Sequence, residues 1–497
     1  MQNQKILFAA SEAYPLMKTG GLGDVAGSLP IALKALRQDV RLIMPAYRDV
    51  LARAGTLVMV NPGLAGFSAP VRLLEGKLPG SQVKLWLVDA PALFDRPGNP
   101  YLGPGGKDWP DNAQRFALFA RAVAAVARDE AGLDWRPDIV HCNDWQCGLI
   151  PALLSLDEQR PATVFTIHNL AYQGLFPPAT FAELGLPPAL WSPDGLEFYG
   201  RLSFIKGGLM YADMLSTVSP SYAQEIRTPE YGCGLEGLLN HRADRLTGIL
   251  NGVDYREWDP RRDPLIAEPY TARDLSGKAA NKAALQTRLG LPLEPQVPLI
   301  GLVSRLVEQK GMDLVVGILP ALLAQPVQVA MLGSGEKRFE TVFSDAMATH
   351  PRQFAVQIGF DESLAHLIES GADMFLMPSR FEPCGLNQIY SLRYGTVPIV
   401  RRTGGLADTV VDAAPDSLAD GAATGITFED ATPQSLLAAL QRAMALYRQP
   451  ALWQQMIRAG MRQNFSWQRS AKEYLALYQR ARYAQEAEDQ SRRRGAV

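Results

Sequence analysis

Residues 379–395, SRFEPCGLNQIYSLRYG, decide the fold that we expect for this chain. They follow a short apolar run, Met374–Met377, which predicts a buried strand, and from about Leu386 to Tyr394 their pattern predicts an amphipathic helix. A strand that leads through a glycine-bearing loop into a helix points backbone N–H groups and the positive helix end at one place, which suits a phosphate. Glu382 would repel a phosphate, so we expect its carboxylate to accept hydrogen bonds from hydroxyl groups, as sugars offer.

On both sides of residues 379–395, short apolar runs that predict strands alternate with helical patterns along the whole chain. Strands are predicted at residues 5–10, 40–44, 83–88, 138–142, 163–167, 246–250, 299–304, 327–332, 354–358, 374–377 and 397–400. Such alternation is typical of a parallel sheet covered by helices on both faces, with ligands bound beyond the carboxyl ends of the strands. The predicted fold class is therefore α/β, with two facing Rossmann-like domains and an active-site cleft between them.

The length of 497 residues is too great for one core and predicts two large domains. We expect an N-terminal domain over residues 1–247, a C-terminal domain over 248–470, and a C-terminal helix with a charged tail over 471–497, the helix packing back on the first domain. The polar stretch from 254 to about 278 has the character of a linker, and residues 490–495 are expected to be disordered. Residues 174–211, rich in proline and aromatic residues, are either a lid or acceptor-binding insertion or surface packing.

The net charge of −2 gives no basic field for nucleic acid or an anionic membrane, so we expect neither as a partner. The four cysteines, at positions 142, 147, 233 and 384, form no CxxC pair and no zinc spacing, and we interpret them as reduced thiols of a cytoplasmic protein. The first apolar run is too short for a signal peptide, and no later run approaches the length of a membrane span.

A glycine-rich stretch occurs once in each half of the chain. Residues 19–24, TGGLGD, are matched by residues 403–408, TGGLAD, and each opens a predicted helix after a strand. The helix after the first stretch is predicted from about residue 25 to residue 37. With Lys18 beside it, the first stretch predicts a loop that presents a cation and backbone N–H groups to an anion; a purely structural turn is the alternative. Residues 21–26 also satisfy the dinucleotide pattern G-x-G-x-x-A, but they lie far from the preceding strand and the second strand carries no ribose-binding carboxylate. An NAD-dependent oxidoreductase rests on this pattern alone.

Polar residues at predicted strand ends complete the candidate site. Arg305 and Lys310 follow one strand, where they can bind a diphosphate or can be solvated surface cations. His168 follows another strand and is either structural or functional, and Asp144 follows a third, where it could equally cap the next helix. Lys18, the two cations and Glu382 together fit a nucleotide-diphosphate sugar. No metal-ligand spacing occurs, so we expect these cations to neutralise the leaving diphosphate without Mg²⁺ or another cofactor.

Six motifs carry a resemblance to a known family. KTGGLGD (18–24), NDW (143–145), TIHNL (166–170), NGVD (251–254), SRL with QKG (304–311) and PSRFEPCGL (378–386) resemble the motifs of bacterial glycogen synthases and plant starch synthases, in the same order. The resemblance implies a two-domain glycosyltransferase type B fold, ADP-glucose as donor, and glycogen or another α-1,4-glucan as acceptor at its non-reducing end. It also implies retention of the anomeric configuration, and we favour front-side attack in which the departing phosphate takes the acceptor's proton.

The resemblance also implies a role for each residue that matches a motif. Catalytic roles fall to Glu382, Lys310, Arg305, His168 and Asp144. Substrate-binding roles fall to Lys18, Gly20, Gly21, Asp24, Asn169, Asn251, Cys384, Gly385, Leu386, Asn387, Thr403, Gly404 and Phe360. Lys18 and the two neighbouring glycines would contact the diphosphate from the N-terminal domain, and Arg305 and Lys310 would do so from the other.

Tyr390 stands where many two-domain sugar transferases place a second glutamate, as in the glycogen synthase branch, and this argues against a generic lipid or antibiotic glycosyltransferase. The chain departs from the family pattern at two other positions: Asn387 stands where a threonine is expected, and Phe360 stands where a tyrosine commonly lies near the adenine. A UDP-glucose-dependent glycosyltransferase with a different acceptor is therefore the closest alternative, and a glucan-binding protein without catalysis is a further one.

Overall fold

The computed structural model describes residues 3–495. Within them the chain divides into two compact units. The first contains the described residues up to Val218, Ala223–Gly252 and the residues from Trp467 onward, and the second contains Ser219–Tyr222 and Val253–Ser466.

The first unit is built on a twisted α/β sheet and a small antiparallel sheet. Its strands are β1 (Lys5–Ala9), β2 (Asp39–Pro45), β3 (Val58–Asn61), β4 (Arg72–Lys77), β5 (Lys84–Asp89), β6 (Ile139–Asn143), β7 (Ala162–Ile167), β8 (Leu175–Phe176), β9 (Glu197–Phe198), β10 (Arg201–Ser203), β11 (Met214–Thr217) and β12 (Leu246–Gly248). Its helices before residue 253 are α1 (Gly21–Ala35), α2 (Arg48–Arg53), α3 (Pro91–Phe94), α4 (Asn112–Ala127), α5 (Leu149–Leu154), α6 (Ala179–Glu183), α7 (Phe204–Tyr211), α8 (Pro220–Glu225), whose first three residues are assigned to the second unit, and α9 (Glu236–His241).

The large sheet of this unit has nine strands in the order β12-β11-β7-β6-β1-β2-β5-β4-β3. The strands from β12 to β5 run parallel, β4 pairs antiparallel with β5, and β3 pairs antiparallel with β4. The central strands β1, β6 and β7 are almost wholly buried because helices cover both faces of a parallel sheet. In the register of these three strands Ala9 lies beside Cys142, and Asn143 lies beside Thr166. The loops that follow them therefore meet at one edge.

The second unit has a six-stranded parallel sheet. Its strands are β13 (Leu299–Val303), β14 (Gln328–Gly333), β15 (Phe354–Ile358), β16 (Met374–Met377), β17 (Val397–Arg401) and β18 (Ile426–Phe428), and its helices are α10 (Ser276–Leu289), α11 (Met312–Leu323), α12 (Lys337–Thr349), α13 (Glu362–Gly371), α14 (Asn387–Tyr394), α15 (Gly404–Thr409), α16 (Pro415–Ala419), α17 (Pro433–Tyr447) and α18 (Pro450–Met461). The strand order is β15-β14-β13-β16-β17-β18. Because β13 and β16 are neighbours, the loop that carries Arg305 and Lys310 lies beside the loop that carries Glu382.

The last helix, α19 (Trp467–Gly495), packs on the first unit. Tyr478 of this helix hydrogen-bonds with its hydroxyl to Nδ1 of buried His141 on β6 (2.8 Å), and Arg160 contacts Glu488 (3.1 Å). The expected disorder of residues 490–495 is wrong, because the helix continues to Gly495. An i,i+4 ion pair between Arg482 and Glu486, at 3.7 Å, supports the helix before this segment.

The expected linker between residues 254 and 278 is also wrong, because this segment is packed into the second unit. The ring of Trp258 lies between two other rings, with centroid distances of 3.7 Å to His366 and 4.0 Å to Tyr390. Asp263, fully buried, accepts hydrogen bonds from His366 Nδ1 (2.7 Å) and from the Tyr394 hydroxyl (2.5 Å). A polar composition therefore concealed a buried segment whose charges are paired inside the unit.

Two further differences from the sequence expectations concern local structure. Helix α1, expected from about residue 25, begins at Gly21, so part of the glycine stretch is helical. The antiparallel strands β3 and β4 were not predicted, because they form a half-exposed edge without a long apolar run. Among residues 3–495, none of the helices combines the length and the apolar character that crossing a bilayer requires.

Candidate active site

The loop after β1 is held in place by Glu12, a residue that sequence reasoning missed. The buried Glu12 carboxylate accepts hydrogen bonds from the backbone N–H and the hydroxyl of Thr19 (3.0 Å for the hydroxyl) and from the hydroxyl of Tyr101 (3.0 Å). Burial raises the pKa of Glu12, and these donors oppose that shift. An acidic residue directly after a buried strand is the only sequence signal that could have identified it. Glu12 therefore positions the start of the glycine stretch at the sheet edge.

The glycine stretch itself presents an open helix N-terminus. Gly20 is the N-terminal cap of α1, and no side chain caps the helix there. A Cβ atom added at Gly20 or Gly21 would meet no atom within 4 Å, so these positions leave free space beside the backbone. Lys18 is half-exposed and its Nζ lies 2.7 Å from Asp24 Oδ1. The structure thus brings Lys18, Gly20, Gly21 and Asp24 together at one helix end.

His168 and Asp144 meet at the ends of β7 and β6. Asp144 has a positive φ of 55°, and its Oδ1 accepts a hydrogen bond from the backbone N–H of His168 at 2.7 Å. Its side chain makes no capping bond to the turn that follows, so the alternative of a helix cap is wrong. The Nδ2 atom of Asn143 donates to Ala9 O at 2.9 Å. The Oδ1 atom of the same amide therefore faces His168 Nε2 and accepts from it at 2.9 Å. The imidazole therefore carries its proton on Nε2.

Burial governs the protonation of both groups. It raises the pKa of Asp144 to about 7, against the effect of hydrogen bonds from the backbone N–H groups of His168 and Asn169. It lowers the pKa of His168 to about 3. At neutral pH the edge therefore holds a neutral imidazole beside a carboxyl group that is partly protonated, a combination that suits hydrogen bonding to sugar hydroxyls.

Two asparagines at this edge differ in their engagement. Asn169 uses its Oδ1 to accept from the backbone N–H of Ala171 (3.1 Å). Asn251 follows β12, two strands from β7, and is buried. Within the described part of the chain its Oδ1 has no hydrogen-bond partner. A buried polar atom without a partner is unfavourable, so Asn251 is the residue of the two that is poised to receive a ligand.

In the second unit the structure joins Lys310 directly to Glu382. Lys310 Nζ lies 2.5 Å from Glu382 Oε2, and the hydroxyl of Ser379 donates to the same oxygen at 3.0 Å. The Glu382 side chain is only 8% exposed. Arg305, in contrast, is exposed and makes a long contact of 3.4 Å with Gln309. The two cations that the sequence treated alike are therefore unequal: Arg305 is open to an anion, and Lys310 is already paired.

Close backbone packing fixes the loops around this ion pair. A Cβ atom at Gly404, where φ is +45°, would lie 2.0 Å from Glu382 O. One at Gly311, where φ is +73°, would lie 2.0 Å from Pro378 O. Only glycine fits either position. Thr403, also buried, begins α15 against the same loop. The loops after β13, β16 and β17 are thus one closely packed group.

The residues after Glu382 are held by side chains that bond to backbone. Leu386 is the N-terminal cap of α14 and makes no side-chain capping bond. Asn387 Nδ2 donates to Val303 O (2.8 Å), so this side chain ties α14 to the end of β13. Gln388, which sequence reasoning missed, donates to the carbonyls of Cys384 (3.0 Å) and Gly385 (3.1 Å).

Phe360 stands apart from this group. It follows β15, two strands from β13, and its ring is 85% exposed. Among residues 3–495, no three histidine, cysteine or acidic side chains come together as a metal site.

Comparisons with known proteins agree with the geometry. A model of the starch synthase catalytic domain matches residues 5–241, and a model of glycosyl transferases group 1 matches residues 288–462. The chain is 59% identical over 477 residues to glycogen synthase 1 of Methylococcus capsulatus, covering 96% of each chain. It is 60% identical over 479 residues to the glycogen synthase of Thioalkalivibrio sulfidiphilus, covering 95% of this chain and 99% of the relative.

A solved structure extends the comparison to three dimensions. The catalytic domain of starch synthase IV from Arabidopsis thaliana, bound to ADP and acarbose, superposes with a TM-score of 0.85 at 32% identity and covers 97% of this chain and 100% of that one. The predicted α/β class and the two-domain glycosyltransferase type B fold are confirmed. The chain therefore belongs to the bacterial glycogen synthases of the starch synthase family, glycosyltransferases that use a nucleotide-sugar donor and a glucan acceptor.

Proposed function

We propose that the protein transfers glucose from ADP-glucose to the non-reducing end of an α-1,4-glucan, with retention of configuration, in glycogen biosynthesis. The observation that carries this proposal is the buried Lys310–Glu382 pair beside the exposed Arg305. The names of the relatives support glycogen as the product, and the ADP in the starch synthase IV structure supports an adenine nucleotide.

Donor binding is assigned to the loops of the second unit. Arg305 can bind the diphosphate bidentately, because its guanidinium is exposed and only weakly engaged. Lys310 is held at a fixed place by Glu382 and supplies a positive charge that need not reorganise when the leaving group becomes negative. The backbone of residues 384–387, with Thr403 and Gly404, contributes further donors in this proposal. Phe360 is assigned to the adenine.

Glu382 is assigned to glucose binding and not to nucleophilic attack. Its Oε2 already accepts from Lys310 and Ser379, and in this proposal the sugar hydroxyl uses the other carboxylate oxygen, Oε1. In the proposed step the acceptor's 4-hydroxyl oxygen forms the new bond to C1 as the C1–phosphate oxygen bond breaks on the same face. The hydroxyl proton passes to the departing phosphate oxygen, and ADP leaves.

The first unit is assigned to the sugar and to the diphosphate. Lys18 and the open N-terminus of α1, at Gly20 and Gly21, suit a phosphate. Asp144, with a pKa near 7, can donate to or accept from a hydroxyl, and His168 offers a neutral imidazole. Asp24, Asn169 and the partnerless Oδ1 of Asn251 are further hydroxyl-binding groups in this proposal.

The test is a transfer assay with glycogen and either ADP-glucose or UDP-glucose, in which nucleotide release and incorporation of labelled glucose are both measured. We expect release of ADP with equal incorporation of glucose. Arg305→Ala should abolish most of the turnover, whereas Lys337→Ala, at a lysine with an 87% exposed side chain, should not change it. Preference for UDP-glucose would favour the alternative donor, and glycogen binding without nucleotide release would indicate a binding protein. A cytoplasmic location stays a prediction.

A further inference from the structure

The tip of a short hairpin in the first unit exposes a tyrosine in an unusual conformation. Strands β9 and β10 pair antiparallel, with Phe198 opposite Arg201, so Tyr199 and Gly200 form a two-residue turn. Their φ angles are +48° and +77°. Two positive φ angles are the signature of a type I′ turn, which favours asparagine and glycine. A bulky residue there is an outlier. The Tyr199 ring is nevertheless 82% exposed.

This aromatic hairpin, residues 197–203, is held firmly on the first unit. Buried Lys206 donates from Nζ to the carbonyls of Pro193 and Glu197, the latter at 2.5 Å. The backbone N–H of Gly200 donates to Glu197 Oε1 at 2.5 Å. The Phe198 ring supports Tyr199 edge-on, with the centroids 4.7 Å apart. The Tyr199 ring is therefore exposed to solvent on a turn that hydrogen bonds and the Phe198 ring hold in place.

The aromatic hairpin is connected by packing to the edge that carries His168. Tyr172, four residues further along the chain, is 55% exposed. Its neighbour Gln173 donates from Nε2 to Cys233 O at 3.0 Å. The next residue, Gly234, approaches the hairpin so closely that a Cβ there would lie 3.6 Å from Tyr199 Cε2. The hairpin that carries Tyr199 is therefore packed close to the segment that follows His168.

We propose that the aromatic hairpin is a stacking platform for a glucan chain, and the inference rests on the proposed function. The backbone strain at Tyr199 supports a functional role, because a side chain that is 82% exposed gains little stability from packing. A glucose unit presents an apolar C–H face that can cover an aromatic ring, and hydroxyl edges that charged neighbours can bind. Glu197 and Arg201 are the charged residues of the strands on either side of the turn. The platform holds a segment of the acceptor away from its reacting end.

The substitution Tyr199→Asn separates ligand binding from folding. Asparagine is preferred in a type I′ turn, so the variant should unfold at the same or a higher temperature than the wild type. We expect the Kd for glycogen, measured by retardation in native gels containing glycogen, and the KM for glycogen to rise about fivefold. The kcat and the KM for ADP-glucose should not change. Tyr199→Phe should behave as the wild type, and so should Tyr483→Ala, which removes another exposed ring (71%).

Wild-type glycogen affinity in Tyr199→Asn would overturn the platform. A change in sedimentation without a change in glycogen retardation would also overturn it, since the ring would then contact a second copy of the chain. Gel retardation measures glucan binding without turnover, whereas ADP release measures transfer. A wild-type protein that is retarded by glycogen but releases no ADP would contradict the proposed function, and the platform would still be judged by the retardation of Tyr199→Asn.

Discussion

The ion pair between Lys310 and Glu382 can be dissected by a double-mutant cycle. Lys310→Met removes the cation and leaves a carboxylate that is 8% exposed with Ser379 as its remaining donor. Glu382→Gln removes the anion and leaves an ammonium group that is 19% exposed. The double variant buries neither charge alone. Each single variant leaves one largely buried charge without its partner. The loss of stability in the double variant should therefore be smaller than the sum of the losses in the two single variants.

The magnitudes follow from burial. Breaking a fully buried ion pair costs about 3–5 kcal/mol, and since Lys310 retains some exposure we expect about 2–3 kcal/mol for Lys310→Met. Glu382→Gln keeps an acceptor for Ser379 and should cost about 1–2 kcal/mol. The double variant should be more stable than additivity predicts by at least about 1 kcal/mol. If the pair also stabilises the departing diphosphate, every variant should lose about 10²–10³-fold in kcat.

Urea unfolding and ADP release, measured on the four proteins of the cycle, distinguish a structural pair from a catalytic one. We expect stability to recover in the double variant while turnover does not. The control Lys337→Ala should match the wild type in both measurements. Additive stability effects would show that the pair is not formed, and a wild-type kcat in either single variant would refute its proposed role in catalysis.

Three further predictions concern backbone packing and pH. Gly404→Ala should lower the midpoint of thermal unfolding by an amount equivalent to about 3 kcal/mol or more, because the added Cβ would lie 2.0 Å from Glu382 O. The control Gly237→Ala, whose Cβ would meet no atom within 4 Å, should leave the midpoint unchanged, and equal midpoints for the two variants would contradict this packing. Burial raises the pKa of Asp144 to about 7, so the free energy of unfolding falls by about 1 kcal/mol per pH unit as pH rises from about 4 to 7. Asp144→Asn should remove this loss in urea unfolding, and the same pH dependence in the variant would contradict the raised pKa. Burial lowers the pKa of His141 to about 3, so the free energy of unfolding falls as pH drops below about 6.5. Between pH 6 and pH 4.5, His141→Gln should lose less of this free energy than the wild type does, whereas parallel pH profiles would contradict the prediction.

Sequence reasoning found the strands of both sheets where apolar runs were continuous. Phe354–Ile358 and Met374–Met377 have the predicted bounds, because a short apolar run between polar loops suffices to locate a buried strand. It failed for residues 254–278, where polar composition concealed the stack around Trp258. Ring stacking and paired buried charges depend on neighbours about a hundred residues away, such as His366, and no local pattern contains them.

The residue types of the candidate site could be predicted from the chain because strand ends and glycine-rich turns are local features. The partners and protonation states of these residues could not be predicted in this way. They depend on which side chains the fold brings together and on how far water is excluded. Examples are the pairing of Lys310, the exposure of Arg305, the hold of Glu12 on the loop before α1 and the neutral imidazole of His168. The order of residues determined the parallel strands of the two large sheets and the residue types at their edges, since periodicity and turn preference act over a few residues. Charge pairing and pKa values were decided only by the tertiary structure, because they depend on distance and burial in space.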